Sequence, residues 1–131
     1  DDAYLAARAI QFFAPGVPQV YYVGLLAGKN DETGFKKTGD GREINRHNFS
    51  LEEIDQEVKK DVVQRLLKLI RFRNEYPAFN GQFQVLDSAD HELVLSWQKA
   101  DRGCQLRVDL DTNQAVIEFT GETGKKNRYE V

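Results

Sequence analysis

The residues best suited to chemistry fall in one polar stretch, AGKNDETGFKKTGDGREINRH, Ala27 to His47. It holds Asp31, Arg42, Asn45, Arg46 and His47 beside several glycines. Each arginine is a rigid fork of N–H donors that fits a carboxylate or a pair of hydroxyls. On spacing alone two readings stand: the arginines bind such a ligand, or they pair with neighbouring acids and anchor the loop. His47 and His91 are far apart and neither sits in a metal-ligand spacing, so no metal is expected. There is no nucleophile elbow, no phosphate-cradling glycine loop and no Cys/His pair. Carboxylates are plentiful, but their spacing singles out no acid/base couple.

The elements around this stretch must position it. Upstream, Asp2 to Phe13 carries Tyr4, Leu5, Ala7, Ala9, Ile10 and Phe13 at helical spacing, and Pro15-Gly16 stops it. Gln19 to Gly24 is β-branched and aromatic without polar alternation, which predicts a strand covered on both faces, as in a parallel sheet. No parallel neighbour for it exists in the chain. Leu25 to Asn48 then reads as a long loop at the C-terminal end of that strand, where α/β folds build sites. Downstream, SLEE (Ser50 to Glu53) is a capping box. Ile54, Val58, Val62, Leu66 and Ile70 follow at intervals of four, predicting one helix to about Glu75, which Pro77 ends. Lys59, Lys60, Arg65, Lys68 and Arg71 fall mostly on the other, solvated face. From Phe83 on, FQVLD, HELVLSWQKA, CQLRVDLD and QAVIEFTG alternate apolar with polar residues between turn signals, predicting an antiparallel meander with one buried face and a fifth short strand at NRYEV. The boundary between the helical part and the sheet is expected at Asn80-Gly81.

Composition narrows the class. The 131 residues carry 21 acids and 18 bases, a net charge of −3, which gives no basic excess to meet nucleic-acid phosphates. A hydrophobic fraction of 40% supports a core. No apolar run reaches ~18 residues, so no membrane span is expected. A single cysteine, Cys104, forms no internal disulfide and points to a reducing, cytoplasmic setting. The Asn48 sequon is read as chance, because no secretion signal accompanies it. The chain opens directly in a helical pattern and lacks Met, as a piece cut from a longer protein would.

Three segments carry a resemblance: FFAPGVPQVYYVGLLAGKND, then GREINRH, then RFRNEYPAFNG. In order, they resemble the C-terminal part of the sucrose phosphorylases. These belong to the α-amylase superfamily of glycoside hydrolases, in the subgroup that includes sucrose-6-phosphate and glucosylglycerate phosphorylases. The likeness runs from about Ala7 to Gly81; beyond it the sheet matches only in type. The implied fold class is an α+β fragment, the last βα unit of a (β/α)8 barrel followed by a small antiparallel β-sheet domain. Residues 1–80 would be the end of the catalytic barrel, with PQVYYVG its eighth strand, and residues 81–131 the C-terminal domain.

The resemblance implies a retaining double displacement in which phosphate takes a glucosyl group from sucrose or a related α-glucoside, giving glucose 1-phosphate. It implies no cofactor. The nucleophile, acid/base and stabilising carboxylates would sit on earlier strands, so no catalytic residue is assigned here. Its sugar-contacting arginine maps to Arg42 first and Arg46 second. Asp31 and His47 match family positions too, as contacts or as residues that order the loop. ETGF (Glu32 to Phe35) replaces the usual MELL, and HNF replaces HYY, which leaves the acceptor open among fructose, a fructose phosphate and glycerate. Two further readings stand beside the phosphorylase one. The first is a stand-alone carbohydrate-binding or interaction module with Trp97 and Tyr129 stacking on sugars, although Trp97 keeps the core phase of Leu93 and Leu95. The second is a homodimer that covers an exposed strand.

Overall fold

A computed structural model describes residues 1–131. The chain packs as two compact units, residues 1–18 with 68–131, and residues 19–67. No helix is long and apolar enough to cross a membrane.

In the first unit, α1 (Asp2–Phe13) has the bounds that its periodicity predicts and buries Leu5, Ala6, Ala9, Phe12 and Phe13. The meander is β1 (Gln82–Leu86), β2 (Glu92–Lys99), β3 (Arg102–Asp109), β4 (Ala115–Thr120) and β5 (Lys126–Glu130), antiparallel throughout in that order. Period-two alternation puts alternate side chains on one face. That face brings Leu95 opposite Leu106, Trp97 opposite Cys104 and Leu106 opposite Ile117, all buried. Trp97 is 7% exposed and donates its Nε1–H to the carbonyl oxygen of buried Phe13 at 2.7 Å. Phe79 bridges the two, its ring centroid 5.0 Å from Phe13 and 5.8 Å from Trp97. The Tyr76 hydroxyl lies 2.9 Å from the Gly103 carbonyl and 2.8 Å from that of Thr120, tying the segment before the sheet to β3 and β4. Gly81 admits this closure: a Cβ there would stand 2.0 Å from the Gln98 carbonyl oxygen.

The second unit contains α2 (Tyr22–Leu25), α3 (Glu32–Thr38), a 3-10 turn (Gly41–Asn45) and α4 (Leu51–Glu57). Two expectations are corrected here. The strand expected at Gln19 to Gly24 is absent: residues 17–21 are irregular and a helical turn begins at Tyr22. Val17 is 97% exposed and Tyr21 53%. A strand is held by ladder hydrogen bonds to a neighbour, and these residues have none to pair with. The sheet of the chain is purely antiparallel and made by other residues.

The single helix expected from Leu51 to Glu75 is two, α4 and α5 (Asp61–Glu75), broken at Val58–Lys60. An interval of four overshoots the helical turn by about 40° per step, so an unbroken row of apolar residues winds around a straight helix. The break resets the phase. α4 buries none of its residues, whereas α5 buries Val62, Val63, Leu66 and Leu69. The break is closed by i+3 bonds from Lys59 N–H to the Gln56 carbonyl and from Lys60 N–H to that of Glu57. The stretch from Leu25 to Asn48, expected to be all loop, also carries the short α3 and the 3-10 turn.

Candidate functional site

Asp31 is the hinge of the polar stretch. Its side-chain Oδ1 accepts the Gly34 N–H at 2.8 Å and so caps α3. Its own N–H donates to the Ile44 carbonyl at 2.8 Å, which pins the 3-10 turn against the start of the stretch. Asp40 caps that turn in the same way, accepting from the Arg42 N–H at 2.9 Å. Two aspartates therefore fix the backbone on which Arg42 and Arg46 stand.

The two guanidinium groups differ. Arg46 has its Nη1 3.9 Å from Glu43 Oε1, a long, exposed ion pair that adds little stability. Arg42 makes no ion pair and is exposed, its fork free for an external acceptor. The reading in which both arginines merely anchor the loop through acids thus fits Arg46 and not Arg42.

His47 closes the other end. Its Nε2 lies 3.2 Å from Glu53 Oε1 and its Nδ1 3.8 Å from Asp31 Oδ2. Glu53 is also half of the capping box, with its Oε2 accepting the Ser50 N–H at 2.6 Å and its N–H donating to Ser50 Oγ at 3.2 Å. One carboxylate thus anchors α4 and the histidine together. The Gly34 N–H, helped by His47, holds the Asp31 carboxyl below the usual carboxylate range. The Ser50 N–H, followed by His47, does the same for Glu53. Phe49 packs edge-on against the His47 ring at 4.6 Å and against Tyr22 at 6.2 Å. Gly28 makes room for this layer, because a Cβ there would meet Val23 Cγ1 at 3.0 Å and Phe49 Cζ at 3.1 Å.

The structure thus brings Asp31 to His47 and to the turn that carries Arg42 and Arg46. It also adds Glu53, Tyr22 and Phe49 to the stretch. The SLEE motif marks Glu53 as a cap, but its second partner, six residues upstream, has no sequence signal. No group of three or more His, Cys, Asp or Glu side chains is arranged to hold a metal ion. What the loop offers chemically is an exposed, acid-free guanidinium on a turn with both ends fixed, a donor for hydroxyl or carboxylate oxygens.

Helices, the polar loop among them and a five-stranded antiparallel meander recur together in a solved relative. Over 100% of its length the chain superposes on 27% of a solved structure, sucrose 6F-phosphate phosphorylase from Thermoanaerobacter thermosaccharolyticum, with a TM-score of 0.97 and 60% identity. It is 61% identical over 129 residues to the sucrose 6(F)-phosphate phosphorylase of Thermoanaerobacterium thermosaccharolyticum, covering 98% of this chain and 26% of the relative. It is 50% identical over 131 residues to the glucosylglycerol phosphorylase of Marinobacter adhaerens (99% and 27%). Against the sucrose phosphorylase of Agrobacterium vitis it is 54% identical over 121 residues (92% and 25%). No protein-family profile matches the chain. Over nearly its whole length the chain is homologous to sucrose phosphorylases, and it spans about a quarter of the length of the curated relatives it matches.

Proposed function

We propose that these 131 residues are part of a glucosyl phosphorylase that moves a glucosyl group from sucrose or a related α-glucoside to inorganic phosphate, releasing glucose 1-phosphate. The observation that carries the reading is the similarity of the whole chain to phosphorylases; within it we assign the sugar contact to Arg42, an exposed guanidinium on a turn fixed by Asp31 and Asp40. Its role is to donate charge-assisted hydrogen bonds to glucosyl hydroxyls. Arg46 stands second, and Asp31 and His47 hold the loop at its two ends. The reaction is a double displacement, with a carboxylate nucleophile and a carboxylic acid supplied from outside these residues.

In the whole enzyme, residues 1–80 would form the end of the (β/α)8 barrel and residues 81–131 its C-terminal antiparallel domain. Pro18 to Gly24, PQVYYVG, would take the eighth-strand position in that barrel. A cytoplasmic enzyme, working without a cofactor, fits the single reduced cysteine.

The experiment has two arms. The 131-residue chain with sucrose and phosphate is expected to release no glucose 1-phosphate. A full-length phosphorylase carrying these residues in place of its own is expected to release it from sucrose, sucrose 6F-phosphate or another α-glucoside. Turnover by the 131-residue chain alone, or a folded full-length protein inactive on every α-glucoside, would overturn the reading.

A further inference from the structure

Arg73, near the end of α5, is a half-buried cation that receives no carboxylate. Burial, the largest influence on it, pulls its guanidinium pKa down. Its Nη2 donates to the Gly16 carbonyl at 3.0 Å, and its Nε is buried with no acceptor. The Phe79 and Trp97 rings lie 4.4 and 5.7 Å from the guanidinium carbon. Ring faces stabilise the positive charge but leave the in-plane N–H edges to find oxygen. Arg107 and Arg65, by contrast, meet Glu92 and Asp61.

Arg73 lines an open recess of about 330 Å³ together with Gly16, Pro18, Asn74, Asn80 and Trp97. No Asp or Glu lines it. The recess therefore offers one under-satisfied cation, two side-chain amides and an aromatic wall. A guanidinium edge matches two oxygens of a carboxylate or phosphate, and it is less tightly hydrated than an ammonium, so the exchange of water for an anion is favoured.

We propose that this recess is a binding site for a small oxyanion, held by the Arg73 guanidinium and flanked by the Asn74 and Asn80 amides. The ligand class is a free carboxylate or phosphate ion, since no acidic side chain lines the recess to neutralise the guanidinium.

Trp97 is the only tryptophan and sits against the site, so its emission reports occupancy. The 131-residue chain is titrated with sodium phosphate and, separately, sodium acetate at constant ionic strength set by sodium chloride. A saturable change in Trp97 emission with either ion is expected. Arg73→Gln should raise the apparent Kd at least tenfold. Should that variant fail to fold by circular dichroism, Asn80→Asp serves instead: its own carboxylate would occupy the guanidinium and raise the Kd at least tenfold. A wild-type response that never saturates with either ion, or the same Kd in the folded variants, overturns the proposal.

Discussion

Replacing Trp97 by Phe tests the packing that joins the helices to the sheet. The indole is 7% exposed, and its Nε1–H satisfies the Phe13 carbonyl at 2.7 Å, on a residue with no exposure at all. Phe keeps a ring in place but removes the donor, and a buried acceptor left without a partner costs about 1–3 kcal/mol. The smaller ring leaves a gap against Phe79 and Phe83, whose centroids are 5.8 and 5.1 Å from Trp97, at a cost of roughly 1 kcal/mol. The sum is about 2–4 kcal/mol. For a chain of 131 residues the unfolding entropy makes that roughly 7–14 °C in Tm. Thermal and urea unfolding followed by circular dichroism would measure it, since the substitution removes the fluorophore. A loss below about 0.5 kcal/mol would refute the reasoning, because it would mean that neither the bond nor the ring is part of the core.

Other outcomes follow from the same contacts. Gly81→Ala should destabilise by about 3 kcal/mol or more, because its Cβ would stand 2.0 Å from a backbone oxygen that cannot move alone; urea unfolding checks this. Burial pushes the Cys104 thiol up to about 12, so iodoacetamide at pH 8 should leave it unlabelled in the folded chain and alkylate it in urea. Asp31 and Glu53 both have lowered folded pKa values, so their contribution is fully present above the unfolded carboxylate range of about 4 and lost as pH falls through the folded values. Amide exchange across residues 28–53 should therefore be steady from pH 7 to 5, after correction for intrinsic rates, and open below about pH 4. Asp31→Asn should weaken that acid step.

Much of this architecture was legible in the residues. The bounds of α1 follow from its periodicity and from Pro15-Gly16. The Ser50–Glu53 capping box forms as its motif predicts. Four strands of the meander fall where apolar and polar residues alternate, the fifth falls at the NRYEV segment, and Trp97 keeps the buried phase. These features are local, or depend on neighbours within the chain. Gly16 to Gly28 was not legible, because its apolar composition suits a strand whose partners the chain lacks. The break at Val58–Lys60 escaped because a row spaced at four looks continuous in sequence while it winds around the helix. At the loop, the sequence singled out Asp31, Arg42, Arg46 and His47, but not that Arg46 faces Glu43 and Arg42 faces no acid. That difference depends on side-chain placement within a single turn, which residue spacing does not encode. The contact of His47 with Glu53 joins two motifs that looked unrelated.

The most direct test of the account is Arg42→Ala in a full-length phosphorylase carrying these residues, assayed for glucose 1-phosphate release. Losing a charge-assisted contact to the glucosyl unit should lower kcat/KM by about 2 kcal/mol or more, on the order of thirtyfold, with Arg46→Ala losing less. An unchanged kcat/KM for Arg42→Ala in a folded enzyme would contradict the account.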